Sequence, residues 1–330
     1  MKIQGIYLDY NATTPVAPEV RAAMEPFFSD NFGNPSSVHR TGQRAQGPVT
    51  AAREKIAALL NADGPDEIVF TGGGSEADNL AIKGVAWANR DRGRHIITSA
   101  IEHPAVLATC EWLAQEGYDV TFLPVDEGGF VSPAALAAAF RSDTVLVTIM
   151  HANNEVGSIE PVEELAALAR ERGVLFHTDA VQTAGKIPLD VKALGCDLLS
   201  ISAHKFYGPK GIGALYVRRG IELIPVITGG HQESGRRAGT HNTPGIIGMA
   251  AALEMAASSC VEEGRRQARL RDRLRDGVLA LDSKAVVMTP SSQAMPNTLS
   301  VCFAGVDGEA VMLGLDIACL LYTSPSPRDS

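Results

Sequence analysis

The sequence predicts an α/β fold: a mostly parallel central sheet with helices on both faces, plus a smaller α+β domain. Three observations lead there. Short apolar runs alternate with Ala-rich helical patterns between residues 67 and 217, the alternation that joins parallel strands through helical crossovers. Polar clusters follow the ends of those runs: GGGSE, EH, HANNE, HTDAVQ and SAHK. In such sheets ligands sit outside the carboxyl ends of the strands. Finally, the 330 residues are 45% hydrophobic and 20% charged, enough for a full core.

Residues 67–71 (EIVFT) read as a strand that runs into Gly72-Gly73-Gly74. A helix follows over 75–88, with Ala77, Leu80, Ala81, Gly84, Val85 and Ala88 at helical spacing. Next come a strand at 94–99, a helix at 104–116 with Pro104 in its first turn, and a strand at 119–124. Ser132-Pro133 opens a helix to residue 140 as an N-cap followed by proline. The run 144–150 (TVLVTIM) is a buried strand, and 161–172 a helix ended by Gly173. Strands at 174–178, 197–201 and 213–217 complete the set. Residues 228–242, rich in Gly, Arg and His, read as a loop. One or two long helices cover 246–281, and their arginines between 265 and 275 read as a solvated face. A strand at 298–303 and a helix at 307–314 belong to the smaller domain. Residues 320–330 (LLYTSPSPRDS) continue neither pattern and are set aside as an atypical, artefactual tail. The expected division is a large domain over 14–255 and an incomplete small domain from 1–13 and 256–319.

Lys and Arg number 29 against 38 Asp and Glu, a net charge of −9. No direct contact with nucleic acid or an anionic membrane is expected, because no sequence-wide positive field draws phosphates in. No apolar run is read as long enough to span a bilayer. The first ten residues carry one Lys and no long apolar stretch, so no signal peptide is expected. The five cysteines are scattered without a CxxC, which fits a reducing cytoplasm better than a disulfide scaffold or zinc ribbon.

Lys205, in SAHK at a strand end, is either a surface lysine in a turn or an amine that loses its proton in a low-dielectric pocket and attacks a carbonyl. Asp179 is either a helix cap or a carboxylate that keeps a pyridine nitrogen protonated. His177, two residues earlier, makes an HxD pair, but no third metal ligand is evident and no metal is expected. Gly72-Gly73-Gly74-Ser75 is either a plain tight turn or a phosphate cradle at a helix N-terminus. It has neither G-x-G-x-x-G nor a terminal G-K-[S/T]. His103 either caps its helix or stacks on a ring and moves protons. Jointly these positions supply a phosphate cradle, a stacking histidine, a carboxylate for a ring nitrogen, a polar ring contact at Gln182 and a Schiff-base lysine. Those are the protein-side needs of pyridoxal 5'-phosphate.

The ordered stretches YLDYNATTP (7–15), FGNPSSVH (32–39), FTGGGSEADN (70–79), EH (102–103), HANNEVG (151–157), HTDAVQ (177–182), SAHKFYGPKGIGALYV (202–217) and RRAGTHN (236–242) resemble cysteine desulfurases of the NifS/IscS type. These belong to the class V aminotransferase family of fold-type-I pyridoxal phosphate enzymes. The resemblance runs to about residue 317. It implies that Lys205 forms the Schiff base and His103 stacks on the ring and moves protons. Asp179 pairs with the ring nitrogen, and Gln182 contacts the ring hydroxyl. Gly74, Ser75, Ser202 and His204 hold the phosphate, with Asn154 near ring and substrate. Thr240 reaches the phosphate site of the neighbouring subunit, which implies a cytoplasmic homodimer. The implied reaction turns L-cysteine into L-alanine, with sulfur passed to an enzyme cysteine as a persulfide, for iron–sulfur scaffold or tRNA-thiolation partners. Two family features are not matched: the Ser/Gly-rich loop with its sulfur-accepting cysteine, and a later arginine for the substrate carboxylate. Cys319 comes too early and is not assigned that role. The alternatives are another class V enzyme, such as a selenocysteine lyase or aminotransferase, and a non-catalytic cofactor-binding assembly partner.

Overall fold

The computed structural model describes residues 6–318 and 320–321. In chain order the elements are β1 Ile6–Tyr7, α1 Pro18–Met24, α2 Arg40–Leu59, β2 Ile68–Thr71, α3 Gly74–Ala88, β3 His95–Ser99, α4 Pro104–Gln115, β4 Asp119–Leu123, α5 Pro133–Ala139 and β5 Thr144–Thr148. They continue as α6 Val162–Glu171, β6 Leu175–Asp179, α7 Val191–Leu194, β7 Leu198–Ser202, β8 Gly213–Val217, α8 Thr243–Leu281, β9 Val286–Val287, β10 Val301–Cys302, α9 Gly308–Ile317 and β11 Leu320–Leu321.

The central sheet has seven strands in the order β2-β8-β7-β6-β5-β3-β4. From β7 to β4 the pairings are parallel. Strand β8 runs antiparallel to both its neighbours, β2 and β7. It is therefore the one reversed strand, and the other six end on the same rim. Side chains alternate between the faces with the period of two that a pleated strand imposes. Ile68, Phe70, Ile97, Leu199, Ile201, Ala214 and Tyr216 join one apolar cluster, while Val69, Ile96, Leu198, Leu215 and Val217 join another. Helices α2, α6 and α8 supply residues to the first cluster, and α3 and α4 to the second. Burial on both faces explains why these strands read as continuous apolar runs.

Several elements depart from the sequence reading, which does not include β1, α1, α7 or β9. Helix α2 was not anticipated: Gly42, Gly47 and Pro48 are poor interior helix formers. Ala45, Val49, Ala52 and Ile56 nevertheless recur on one face and are buried, so packing overrides propensity. The segment 298–303 forms only a two-residue strand, Val301–Cys302, paired antiparallel with Val286–Val287. Within the stretch set aside as a tail, Leu320–Leu321 pairs parallel with Ile6–Tyr7. Cys319 and residues 322–330 lie outside the described residues.

Helix α8 is a single rod of 39 residues. It contains an 18-residue window that matches a membrane span in length and apolar character, contrary to the expectation of no such run; 50% of that window is buried in the protein. Its buried residues lie between Thr243 and Cys260, where the helix packs on α1 and α2. The apolar composition there serves the core.

Candidate active site

The five polar clusters meet at one rim because they follow strands that run the same way. The cradle comes first. Gly73 has φ 155° and ψ −178°, a conformation that glycine tolerates far better than other residues, and it precedes α3 directly. A Cβ on Gly74 would meet Val181 Cγ2 at 2.8 Å and Ser202 Cβ at 3.4 Å. Glycine thus lets the first turn of α3 sit against the turns that follow β6 and β7. Ser75 is exposed and Ser202 buried beside this turn. Unpaired N–H groups at the start of a 15-residue helix, flanked by two hydroxyls, suit a phosphate. Glu76 braces the approach: its carboxylate accepts from Gly72 N–H at 2.7 Å and pairs with Arg237 at 2.8 Å. That pair anchors the 228–242 loop, on which Thr240 is exposed.

The two readings of Asp179 are compatible. Its Oδ1 accepts from Val181 N–H at 2.8 Å, as a turn cap does. Burial raises its pKa, against that hydrogen bond and the charges of His103 and Lys205. A cationic ring nitrogen is the kind of partner that restores such a buried carboxylate to its ionised form. His103 also does two things. It is the N-cap of α4, with Nδ1 accepting from Ala105 N–H at 3.1 Å. The proton of the neutral ring is therefore on Nε2. Desolvation lowers the His103 pKa against the pull of Asp179, and Lys205 adds to the lowering.

Lys205 ends a short 3-10 turn after β7. Its Nζ donates to the carbonyl of Asn11 and, at 2.9 Å, to that of Ala12. Burial lowers its pKa, while Asp179 and Asp9 oppose the shift. An amine so placed reaches its reactive neutral form more readily than a surface lysine does. His204 Nδ1 contacts Thr13 Oγ1 at 3.1 Å, and burial with nearby lysines brings its pKa down to about 4. Gln182 is buried and donates from Nε2 to the Asn11 carbonyl at 3.0 Å. Asn154 reaches the same segment through its backbone carbonyl, which accepts from Asn11 Nδ2 at 3.1 Å.

Asn11 is thus a hub, a role that its place in YLDYNATTP does not reveal. Lys186, four residues after Gln182, was also passed over; its Nζ donates to Gln182 Oε1 at 2.9 Å. Glu102 was noted only as the neighbour of His103. It is buried, accepts from Ser99 Oγ at 2.6 Å and Met150 N–H at 2.9 Å, and is raised by burial to about 8. It is therefore largely a neutral acid at pH 7. His177 is held inside the sheet by Thr148 Oγ1 at 2.8 Å and Ser200 Oγ at 2.9 Å, and burial lowers it to about 3. Those bonds give it a structural place between strands.

A cleft of about 2110 Å³ opens beside Lys205, Lys186 and Asn11. Its far side is formed by α8 and residues of the 297–315 segment. Among the described cysteines, Cys110, Cys196 and Cys260 are buried and Cys302 is exposed. Burial pushes Cys110 and Cys196 up to about 12, which keeps them as thiols.

Comparison with known proteins gives the family and the fold. The chain matches the class-V aminotransferase family over residues 6–320. It is 52% identical to cysteine desulfurase IscS of Dictyoglomus turgidum, over 94% of this chain and 79% of that protein. Identity to cysteine desulfurase IscS of Methanosarcina thermophila is 50%, over 99% of this chain and 80% of the relative. A solved NifS-like protein superposes with a TM-score of 0.93 at 42% identity, covering 96% of this chain and 87% of that one. The structure of SspA in complex with cysteine gives 0.85 at 40%, covering 98% and 90%. With the family match spanning nearly all of the described residues, and with about half of its positions shared with those IscS relatives, the chain belongs to the class-V aminotransferase family, on its NifS/IscS-type cysteine desulfurase branch.

Proposed function

We propose that this chain is a pyridoxal phosphate-dependent cysteine desulfurase that converts L-cysteine to L-alanine, the thiolate of an acceptor cysteine taking the substrate sulfur as its carbon–sulfur bond breaks and so becoming the persulfide. The observation that carries the reading is the convergence of Lys205, Asp179, His103 and the Gly74–Ser202 contact on one rim. The residues fit the cofactor. The start of α3 with Ser75, Ser202 and His204 would hold the phosphate, Asp179 the ring nitrogen, Gln182 the ring oxygen and Lys205 the aldehyde carbon. Asn154, tied to Asn11 through its backbone carbonyl, would lie near the substrate. When bound, the cofactor supplies an electron sink for the pair left by the substrate α-proton.

The chain's own groups do the rest. Asp179, buried and bonded through Oδ1, would hold the ring of the bound cofactor in its electron-accepting protonation state. Lys205, its amine desolvated and held by two carbonyls, is placed to attack the aldehyde and to carry the α-proton. His103, with Nδ1 fixed by the α4 N-terminus, can donate only from Nε2 while neutral. The exposure of Thr240, on a loop anchored through Arg237, supports a role toward a second subunit, and we assign the working form as a cytoplasmic homodimer. Sulfur-accepting proteins, iron–sulfur scaffolds among them, are the partners this reading implies. The test is alanine formation from L-cysteine by the purified protein with pyridoxal phosphate and a thiol reductant. Alanine in step with sulfide supports the reading. Cofactor uptake with pyruvate and ammonia as the products instead would contradict it.

A further inference from the structure

Lys186 sits in the turn after β6, and its placement is built by the backbone. Gly185 has φ +72°, and a Cβ there would meet Ala256 and Phe206 at 2.8 Å each. Only glycine lets this turn press against α8 and bring the next residue under the rim. There the Lys186 ammonium lies 2.9 Å from Gln182 Oε1 and 3.4 Å from Asn11 Oδ1. An ammonium can only donate. Both amides must therefore turn their oxygens toward Lys186, and the orientation of each follows from chemistry. Gln182 is left with its NH₂ end on the Asn11 carbonyl, the carbonyl that also receives Lys205 Nζ. Asn11 is left with Nδ2 on Asn154 O at 3.1 Å and Thr298 Oγ1 at 2.9 Å.

We propose that Lys186 is a positioning residue of the cofactor site: while charged, it holds the oxygens of Gln182 and Asn11 and so makes Gln182 present an N–H donor, not an acceptor, to the ring oxygen of the cofactor. The inference rests on the function proposed above, in which Gln182 faces that oxygen. A donor there stabilises the oxygen as an anion, whereas a flipped amide would set oxygen against oxygen. Burial lowers the Lys186 pKa to about 7, and the charge of Lys205 adds to it. An anionic ring oxygen held through Gln182 would favour its charged form. Other charged or titratable groups that act around this ring of contacts are Asp179 and Asp9, which act on Lys205, His103, which feels Asp179 and Lys205, and His204, which senses both lysines and Lys210.

The experiment uses Lys186→Met, Lys186→Arg and Gln182→Glu in the full chain. Three properties are measured: the dissociation constant for pyridoxal phosphate, the pH midpoint of the visible band of the loaded protein, and the melting temperature without cofactor. A hydrogen bond involving a charged group contributes enough that Lys186→Met is expected to weaken cofactor binding by about 10-fold. The band midpoint should rise by roughly one pH unit, because the ring oxygen loses its donor. Lys186→Arg should restore most of the midpoint, since a guanidinium also only donates. Gln182→Glu keeps a partner for Lys186 but offers no N–H, and it should raise the midpoint as Lys186→Met does. A midpoint that stays at the wild-type value in Lys186→Met or Gln182→Glu, whatever happens to the melting temperature, overturns the assignment. Wild-type protein that takes up no pyridoxal phosphate overturns the function above, and this role with it.

Discussion

The seven-stranded sheet and the segment after Leu281 face each other across the cleft and are built by opposite means. Every residue of β2, β3, β5, β7 and β8 is buried. Helix α9 has no buried residue, and β9 and β10 are two residues each. Close packing on both faces fixes the ends of the strands, so side chains just beyond them are held to the tolerance that chemistry needs. The far wall contributes mainly surface to the cleft. Catalytic power is therefore expected to reside on the sheet side, and substitutions of the same type should have unequal effects on the two sides.

The largest effect belongs to Lys205→Ala. It should reduce alanine formation by at least about 10³-fold, as loss of a covalent and proton-carrying group does. Its melting temperature should stay close to that of wild type, since removing a partly desolvated amine offsets the loss of its two hydrogen bonds to carbonyls. Retention of substantial turnover would break the comparison at its root. Asp179→Asn comes next, with an expected loss on the order of 10²–10³-fold in exchange of the substrate α-proton, followed by deuterium uptake. The Asn carbonyl can still accept from Val181 N–H, so the fold should survive. Unchanged exchange would leave Asp179 a turn cap and nothing more.

Stability sharpens the same contrast. Leu146→Ala, at a fully buried position of β5, should cost about 2–5 kcal/mol in denaturant unfolding. Leu313→Ala, 52% exposed on α9, should cost less than about 1 kcal/mol. Equal costs would mean that the far wall is as tightly packed as the sheet. A further effect, on pH dependence, concerns Glu102. Its folded pKa of about 8 lies above the ordinary carboxylate value. The folded state then binds more protons than the unfolded chain between about pH 4.3 and the folded value, so this group's contribution falls as pH rises through that window. Glu102→Gln mimics the neutral acid, because its amide oxygen can still accept from Ser99 and Met150. The melting-temperature difference in favour of the variant should widen by a few degrees from about pH 5 to pH 8. A constant difference would show that Glu102 does not titrate in this range.

Much of the sheet side was legible in sequence because its signals are local. Apolar runs bounded by glycine and proline marked the strands, and Ser132 and Pro104 marked helix starts. The bounds fall within a residue or two of those in the structure. Helix α2 was not legible, since two glycines and a proline hide a stripe whose value appears only when it packs. The short strand at Val301–Cys302 was read too long for the complementary reason: an alternating pattern found little sheet to join. At the site, residues that end a strand could be listed, but Asn11 could not be given its role. Its partners Gln182 and Lys205 are more than 170 positions away. Lys186 had a visible cue in its i, i+4 spacing from Gln182, and Gly185 before it marked a forced turn.

The central claim is that the strand-end rim holds pyridoxal phosphate through Lys205. Its most direct test is borohydride reduction of the loaded protein, followed by peptide mapping. Lys186 makes this a demanding test, because it is a second half-buried amine beside the same carbonyl segment, with a pKa of about 7. The account predicts one phosphopyridoxyl group per chain, on the peptide that contains Lys205. Label on Lys186, or spread over surface lysines, would contradict it.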